Sequence, residues 1–235
     1  MTSEKSQFRD LHKVPAEGYL IFPLSMTRLS NTQDADVCYE ALKFFEKKLE
    51  MISLDVVFLY TNGLYFNNVE PALAVRKRTL GQMLAHKGAV LKKILKHKKY
   101  VSQAFHFIPW DYIVLNSKNF ESFFKILKEH SKKDKRFYDL IVQDLNGREV
   151  NEANISFLIE EIVVTHIIRQ KLIELPKTIV RKDNFRLFVY PGEYIKADFY
   201  QWKNRLLPQK KDFPFYASHY DLDKKIIYNF DEMEI

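Results

Sequence analysis

Residues 19–25 read YLIFPLS and residues 54–60 read LDVVFLY, two unbroken apolar runs of strand length with a helical pattern between them. A strand that is apolar at every position, rather than at alternate ones, is buried on both faces. Parallel sheets covered by helices on either side provide that environment. Pro23 argues that regular pairing of the first run ends close to it. Between the runs, SNTQDAD (residues 30–36) supplies cap residues for a helix whose apolar positions Val37, Ala41, Phe45 and Leu49 keep helical spacing. Working outward, the pattern predicts a long helix from about Pro71 to Lys99 and a strand at AFHFI (104–108). It continues with two charged amphipathic helices within 117–145 and a helix capped by Asn151 that runs to about Leu172. FRLFVY (185–190), stopped by Pro191-Gly192, and KKIIYNF (224–230) read as late strands. The expectation is an α/β protein with a mostly parallel sheet.

Composition narrows the function. The 235 residues are 46% hydrophobic and 29% charged, ordinary globular values, and six Gly with eight Pro leave little flexible linker. One domain over residues 1–235, led in by a polar stretch 1–18, is expected. A single cysteine, Cys38, excludes an intramolecular disulfide, a cysteine-rich zinc site and an iron–sulfur cluster, and the seven His are scattered. No metal is expected. The N-terminus is polar and the apolar runs are too short for a bilayer, so a soluble cytoplasmic protein with no membrane partner is expected. Neither G-x-x-x-x-G-K-[ST] nor G-x-G-x-x-G occurs, which weakens a nucleotide-binding reading.

Lys and Arg number 37 against 30 Asp and Glu, a net charge of +7, and the excess is not evenly spread. The forty residues 71–110 contain no carboxylate, yet they carry Arg76, Lys77, Arg78, Lys87, Lys92, Lys93 and Lys96. Leu80, Leu84, Leu91 and Leu95 are expected to face inward, with Lys92, Lys96 and Lys99 on an outer face. Most lysine-rich helices are simply solvated, but such faces usually mix signs. A ridge of one sign is best matched by a polynucleotide backbone, whose neutralised phosphates release counterions.

NISFLIEEIVVTHIIRQ (154–170) is apolar nearly all round a helix: Ile155, Ile159, Ile162 and His166 cover one face, and Phe157, Val164 and Ile168 the other. Glu160 and Glu161 are embedded in it. A buried carboxylate requires a cationic partner or a raised pKa, and by itself the segment favours a partner elsewhere in the fold. Ser25 closes the first strand, where parallel α/β folds present ligand-binding groups. Tyr190 closes FRLFVY. Each taken alone reads as an ordinary strand-end residue.

In order along the chain, YLIFPLSMTRLS, LDVVFLY, the basic helix, FLIEEIV and LFVYP resemble the tRNA-dependent cyclodipeptide synthases. The resemblance implies a Rossmann-type three-layer fold similar to the catalytic domains of class I tyrosyl- and tryptophanyl-tRNA synthetases, without their ATP signatures. It implies a monomer that uses two aminoacyl-tRNAs and no cofactor. Position by position, Ser25 matches the serine acylated by the first aminoacyl-tRNA, Glu161 the glutamate that holds its ammonium group, and Tyr190 the tyrosine near the catalytic centre. Arg28, three residues after the serine, and Pro191, after the tyrosine, match the subgroup called XYP. Phe157 departs from the tyrosine usual four residues before the glutamate. The long stretch from Glu161 to Tyr190 leaves Glu160 as an alternative assignment. Nearness to these motifs is expected to place Ile21, Pro23, Val164 and Phe188 by the side-chain pockets, where an apolar lining would suit a hydrophobic first amino acid, and the basic ridge would bind the tRNA acceptor arm through its phosphates.

The implied chemistry is ping-pong: an already activated ester is transferred to Ser25, the amine of a second aminoacyl group attacks it, and the dipeptidyl ester cyclises to a diketopiperazine. Two other readings remain open on sequence: a non-catalytic RNA-binding module using helix 71–99, and a Rossmann-type methyltransferase, which the glycine-poor first turn disfavours.

Overall fold

The computed structural model describes residues 17–26, 28–49, 53–61, 73–96, 104–179, 182–190, 192, 194–209, 218–221, 223–224, 226–230 and 233. Strands β1 (Glu17–Leu24), β2 (Ser53–Tyr60) and β3 (Ala104–Pro109) lie on one side of the sheet, and β4 (Arg186–Tyr190), β5 (Ser218–Asp221) and β6 (Ile226–Asn229) on the other. The order is β3-β2-β1-β4-β5-β6. The first five are parallel and β6 runs antiparallel to β5 at the edge. β1 pairs with β2 over its whole length, Glu17 to Leu24, so the pairing continues through Pro23. Against β4 the registered pairs stop at Ile21, and the two strands part there.

The continuous apolar runs serve two cores at once. Leu20, Phe22 and Leu24 of β1 with Val56, Phe58 and Tyr60 of β2 pack under α1 (Ala35–Leu49) and α2 (Leu73–Lys96). Tyr19, Ile21, Val57 and Leu59 point the other way, under α3 (Trp110–Asn116), α4 (Phe120–Lys133), α5 (Lys135–Asp144) and α6 (Glu152–Arg169). This is the three-layer α/β arrangement the strand pattern calls for. A last helix, α7 (Lys196–Lys203), lies against α5.

Local chemistry sets the element ends. Asp34 accepts from the amides of Asp36 and Val37 (both 2.9 Å) to start α1, and Asn151 accepts from Asn154 (2.9 Å) to start α6. α6 stops at Arg169, short of Leu172, because Lys171 turns left-handed (φ 52°) and the amides of Lys171 and Leu172 fold back to Ile168 and Ile167. At the amino-terminal ends of the strands, buried Asp55 accepts from the amides of Thr178 (2.8 Å) and Ile179 (3.3 Å). Buried Arg186 donates to the carbonyls of Ile168 (2.6 Å) and Ile173 (3.1 Å). That end is closed.

The basic helix differs from expectation. Its buried stripe is Thr79, His86, Val90 and Ile94, and Leu80 (54%), Leu84 (58%) and Leu95 (77%) are exposed. Both stripes have helical spacing and lie roughly 100° apart. The inward one wins because it carries His86, a polar residue that finds buried partners, whereas counting only apolar residues selects the leucines. Lys93 is not without a negative partner, since it pairs with Asp36 of α1. Arg76, Lys77, Arg78, Lys87, Lys92 and Lys96 are exposed, and Lys99 lies outside the described residues. Among the described residues no helix is long and apolar enough to cross a membrane.

Candidate active site

In open parallel sheets the strand order reverses at one point, and a crevice forms there beyond the carboxyl ends of the strands. Here that point lies between β1 and β4. A cavity of about 520 Å³ opens at it. Ser25 follows β1 and Tyr190 ends β4; α6 contributes Phe157 and Glu161, and the turn after β1 contributes Arg28, all of them lining this cavity. Residues far apart in the chain therefore meet because two strand ends and one buried helix point at the same crevice.

Arg28, Asp144, Arg148, Glu161 and Lys196 bring charge into the cavity. The Arg28 guanidinium lies 5.5 Å from the centre of the Tyr190 ring, and that of Arg148 lies 4.6 Å from the centre of the Phe157 ring. Burial pushes the Glu161 carboxyl up to about 7; Arg148 and Arg28 oppose that rise, and Asp198 and Asp144 add to it. Burial and the Glu161 charge raise the Tyr190 phenol to about 12, so it stays a neutral hydrogen-bonding group. Asp144, at the end of α5, also lines the cavity and accepts from the Ala197 amide (2.8 Å) in the first turn of α7. Burial raises it to about 6, against the pull of the Ala197 and Lys196 amides. Beyond Tyr190, Gly192 adopts φ +94°, a conformation that favours glycine, and its carbonyl accepts from His219 Nε2 (3.0 Å). The cavity thus sets two carboxyls that titrate near neutrality among arginines. Such a site can hold a cationic amine and exchange a proton with it.

No family profile matches the sequence, and no curated protein is similar to it. Solved structures are similar in three dimensions. A cyclodipeptide synthase from Bacillus thermoamylovorans superposes with a TM-score of 0.54 at 8% identity, covering 86% of this chain and 87% of that one. A cyclodipeptide synthase from Fluoribacter dumoffii gives 0.51 at 15% identity, covering 79% and 81%. A Mycobacterium tuberculosis protein described as demonstrating that cyclodipeptide synthetases are related to type I tRNA synthetases gives 0.52 at 11% identity, covering 80% and 78%. The chain has the cyclodipeptide synthase fold.

Within the cyclodipeptide synthase fold, the residues read from sequence divide into two groups. Ser25, Arg28, Phe157, Glu161 and Tyr190 share the cavity. Ile21, Val164 and Phe188 do not line it; they are buried in the core under α3–α6, and Pro23 is buried within β1. The strand residues before Ser25 and Tyr190 point into the layers and not beyond the strand ends, and Val164 faces the core from α6. The lining of the cavity is mixed, with Leu145, Phe157, Leu158 and Ile195 beside the charged groups. Of the two glutamates, Glu161 lines the cavity and Glu160 is buried away from it. Pro191 lies outside the described residues. Sequence reading missed Thr61, Asp144, Arg148 and Lys196, which also line the cavity. Asp144 and Arg148 flank the turn Asn146-Gly147 between two helices, where single charges read as solvated surface. Only the Asn-Gly pair marks the spot. Among the described residues no group of three or more His, Cys, Asp or Glu side chains forms a metal site.

Proposed function

We propose that this protein is a tRNA-dependent cyclodipeptide synthase, which joins the amino acids of two aminoacyl-tRNAs into a diketopiperazine through an aminoacyl-Ser25 intermediate. The observation that carries the reading is convergence. Ser25, Glu161 and Tyr190, matched to a serine, a glutamate and a tyrosine of that family on short separate motifs, line one cavity in a chain that has the cyclodipeptide synthase fold.

The residues fit the chemistry. Ser25 Oγ attacks the carbonyl of the aminoacyl ester and its proton passes to the departing ribose oxygen, so one ester replaces another and no ATP is consumed. Glu161 accepts the α-ammonium group. Its carboxyl titrates at about 7, close to an α-amine, whose ordinary pKa is about 8, so proton exchange between the two is nearly balanced. The amine of the second aminoacyl-tRNA attacks the aminoacyl-Ser25 carbonyl; an amide replaces that ester and the amine's proton passes to the departing Ser25 Oγ, leaving the dipeptide esterified to the second tRNA. Its free amine then attacks the remaining ester carbonyl, the ribose oxygen of that tRNA departs with the proton, and the ring closes, a step favoured by proximity. Tyr190, neutral and stacked against Arg28, borders the reacting ester as a hydrogen-bond donor. Arg28, Arg148 and Lys196 give the cavity cations for the terminal phosphates of the RNA, and Arg76, Lys77, Arg78, Lys87, Lys92 and Lys96 form an outer ridge for its acceptor arm. Phe157 offers an apolar ring where the family has a tyrosine, with Arg148 over its face.

Mass spectrometry of the medium from cells expressing the protein tests the proposal. We expect a diketopiperazine that is absent when the cells express Ser25→Ala, with that variant folded and equally abundant. Product from Ser25→Ala at the wild-type level overturns the nucleophile, and no diketopiperazine from the wild type overturns the function.

A further inference from the structure

The backbone around Ser25 is held in an unusual way. The amide of Tyr19 donates to the carbonyl of Phe185 (2.9 Å), so the odd-numbered residues of β1 turn their backbone groups toward β4. Registered pairing with β4 ends at Ile21, and the next groups on that side, the Pro23 carbonyl and the Ser25 amide, lie where the two strands have parted. The side chain of Gln33 takes the place of the missing strand. Its Nε2 donates to the Pro23 carbonyl (2.9 Å) and its Oε1 accepts from the Ser25 amide (2.7 Å), as a peptide group of a neighbouring strand would.

Gln33 is itself fixed and is only 2% exposed. Its amide donates to the Arg28 carbonyl (3.0 Å) and its carbonyl meets His86 Nε2 of α2 (2.9 Å). A carbonyl only accepts, so His86 Nε2 carries the proton. Burial lowers the His86 pKa and keeps the ring neutral, so Nδ1 accepts from the Tyr60 hydroxyl at the end of β2 (2.9 Å). A helix and a turn thus fix the Gln33 backbone, with Tyr60 of β2 behind His86, and the Gln33 side-chain head touches the backbone on both sides of Leu24. The Ser25 amide, being engaged, is not a donor toward the cavity.

On the reading of Ser25 as nucleophile, we propose that Gln33 is a positioning residue, which sets the place and orientation of Ser25 by substituting for β4, and that His86 and Tyr60 hold Gln33 in that role. A displacement of about 1 Å at a reacting group costs on the order of 10²-fold in rate.

The test combines a structural with a kinetic measurement. Gln33→Ala is expected to speed hydrogen exchange of the Ser25 amide. It should slow Ser25 acylation by charged tRNA on the order of 10²-fold while the tRNA concentration giving half-maximal rate stays within about twofold. Gln33→Glu keeps the shape of the head but has an O–H to donate only when protonated. Its acylation rate relative to wild type is therefore expected to recover as pH falls from about 8 to about 6. Tyr60→Phe, which removes only the far hydroxyl, is expected to give a smaller loss than Gln33→Ala. Folded Gln33→Ala with unchanged exchange and unchanged acylation overturns the proposal, as does a pH-independent ratio for Gln33→Glu. Wild-type protein that is never acylated overturns the functional reading itself, a result distinct from either of these.

Discussion

Glu161 is the residue whose chemistry depends most on its surroundings. It sits on a helix apolar nearly all round, and burial outweighs the two arginines that face it, so its carboxyl is raised to about 7. In the proposed role, the form that holds the ammonium group is the ionised one. The apparent second-order rate of Ser25 acylation is therefore predicted to climb as pH rises through about 7 and to fall again above about 8, where the α-ammonium group itself loses its proton. Glu161→Gln, which cannot ionise, should lose the rising limb and fall by roughly 10²-fold in rate; a wild-type rate with that limb intact would reassign the ammonium site. In the sequence this residue stood out as a carboxylate within FLIEEIVV and became a candidate through the family resemblance; that Glu161 and not Glu160 lines the crevice follows from the fold. Asp144 and Arg148 were not legible. They reach the cavity only because a turn between two helices is folded against the carboxyl ends of the strands, and no local pattern encodes that approach.

At the scale of elements, α2 has two distinct faces. Its inner face carries His86 and, through Gln33, touches the backbone of Ser25, while its outer face bears exposed cations beside exposed leucines. Lys77→Glu, Lys92→Glu and Lys96→Glu together leave the Lys93–Asp36 pair and the inner face untouched. They are predicted to weaken binding of tRNAs of every sequence, and to make the slope of log affinity against log salt shallower by roughly one for each lysine in contact with phosphate. Filter binding over a salt series measures this, and an unchanged slope would place the RNA elsewhere. The helix itself was readable from its spacing, but which stripe faces inward was not. Two stripes satisfy the period, and the deciding residue is a histidine whose partners come from β2 and the turn after β1. α3, α7 and β5 also escaped sequence reading; with seven, eight and four residues they are too short to show a period.

For the whole molecule, the apolar runs of β1 and β2 carried most of the information: strands buried on both faces dictate a covered parallel sheet, and the reversal of strand order dictates where its crevice lies. Two buried histidines link that architecture to pH. His166 donates to the Pro208 carbonyl (2.9 Å) and His219 to that of Gly192 (3.0 Å), and burial depresses both to about 4 from an ordinary 6.5. Because the folded values lie below the unfolded ones, the stability these residues contribute is present above about 6.5 and is lost as pH falls toward 4. Glu161 and Asp144 act in the opposite sense, since their folded values are raised, so a single variant is needed to isolate the histidine share. His219→Gln is predicted to lose less thermal stability than wild type between about pH 6.5 and about pH 4 in melting curves, and equal losses would assign the acid sensitivity to other groups. The central claim, that a serine beyond the first strand takes an acyl group from a charged RNA, is tested most directly by intact-protein mass spectrometry after rapid mixing with one aminoacyl-tRNA. The account predicts a gain equal to one aminoacyl group, mapped by peptide digestion to Ser25, with matching loss of the ester from the tRNA. An unmodified protein beside fully charged tRNA would contradict it.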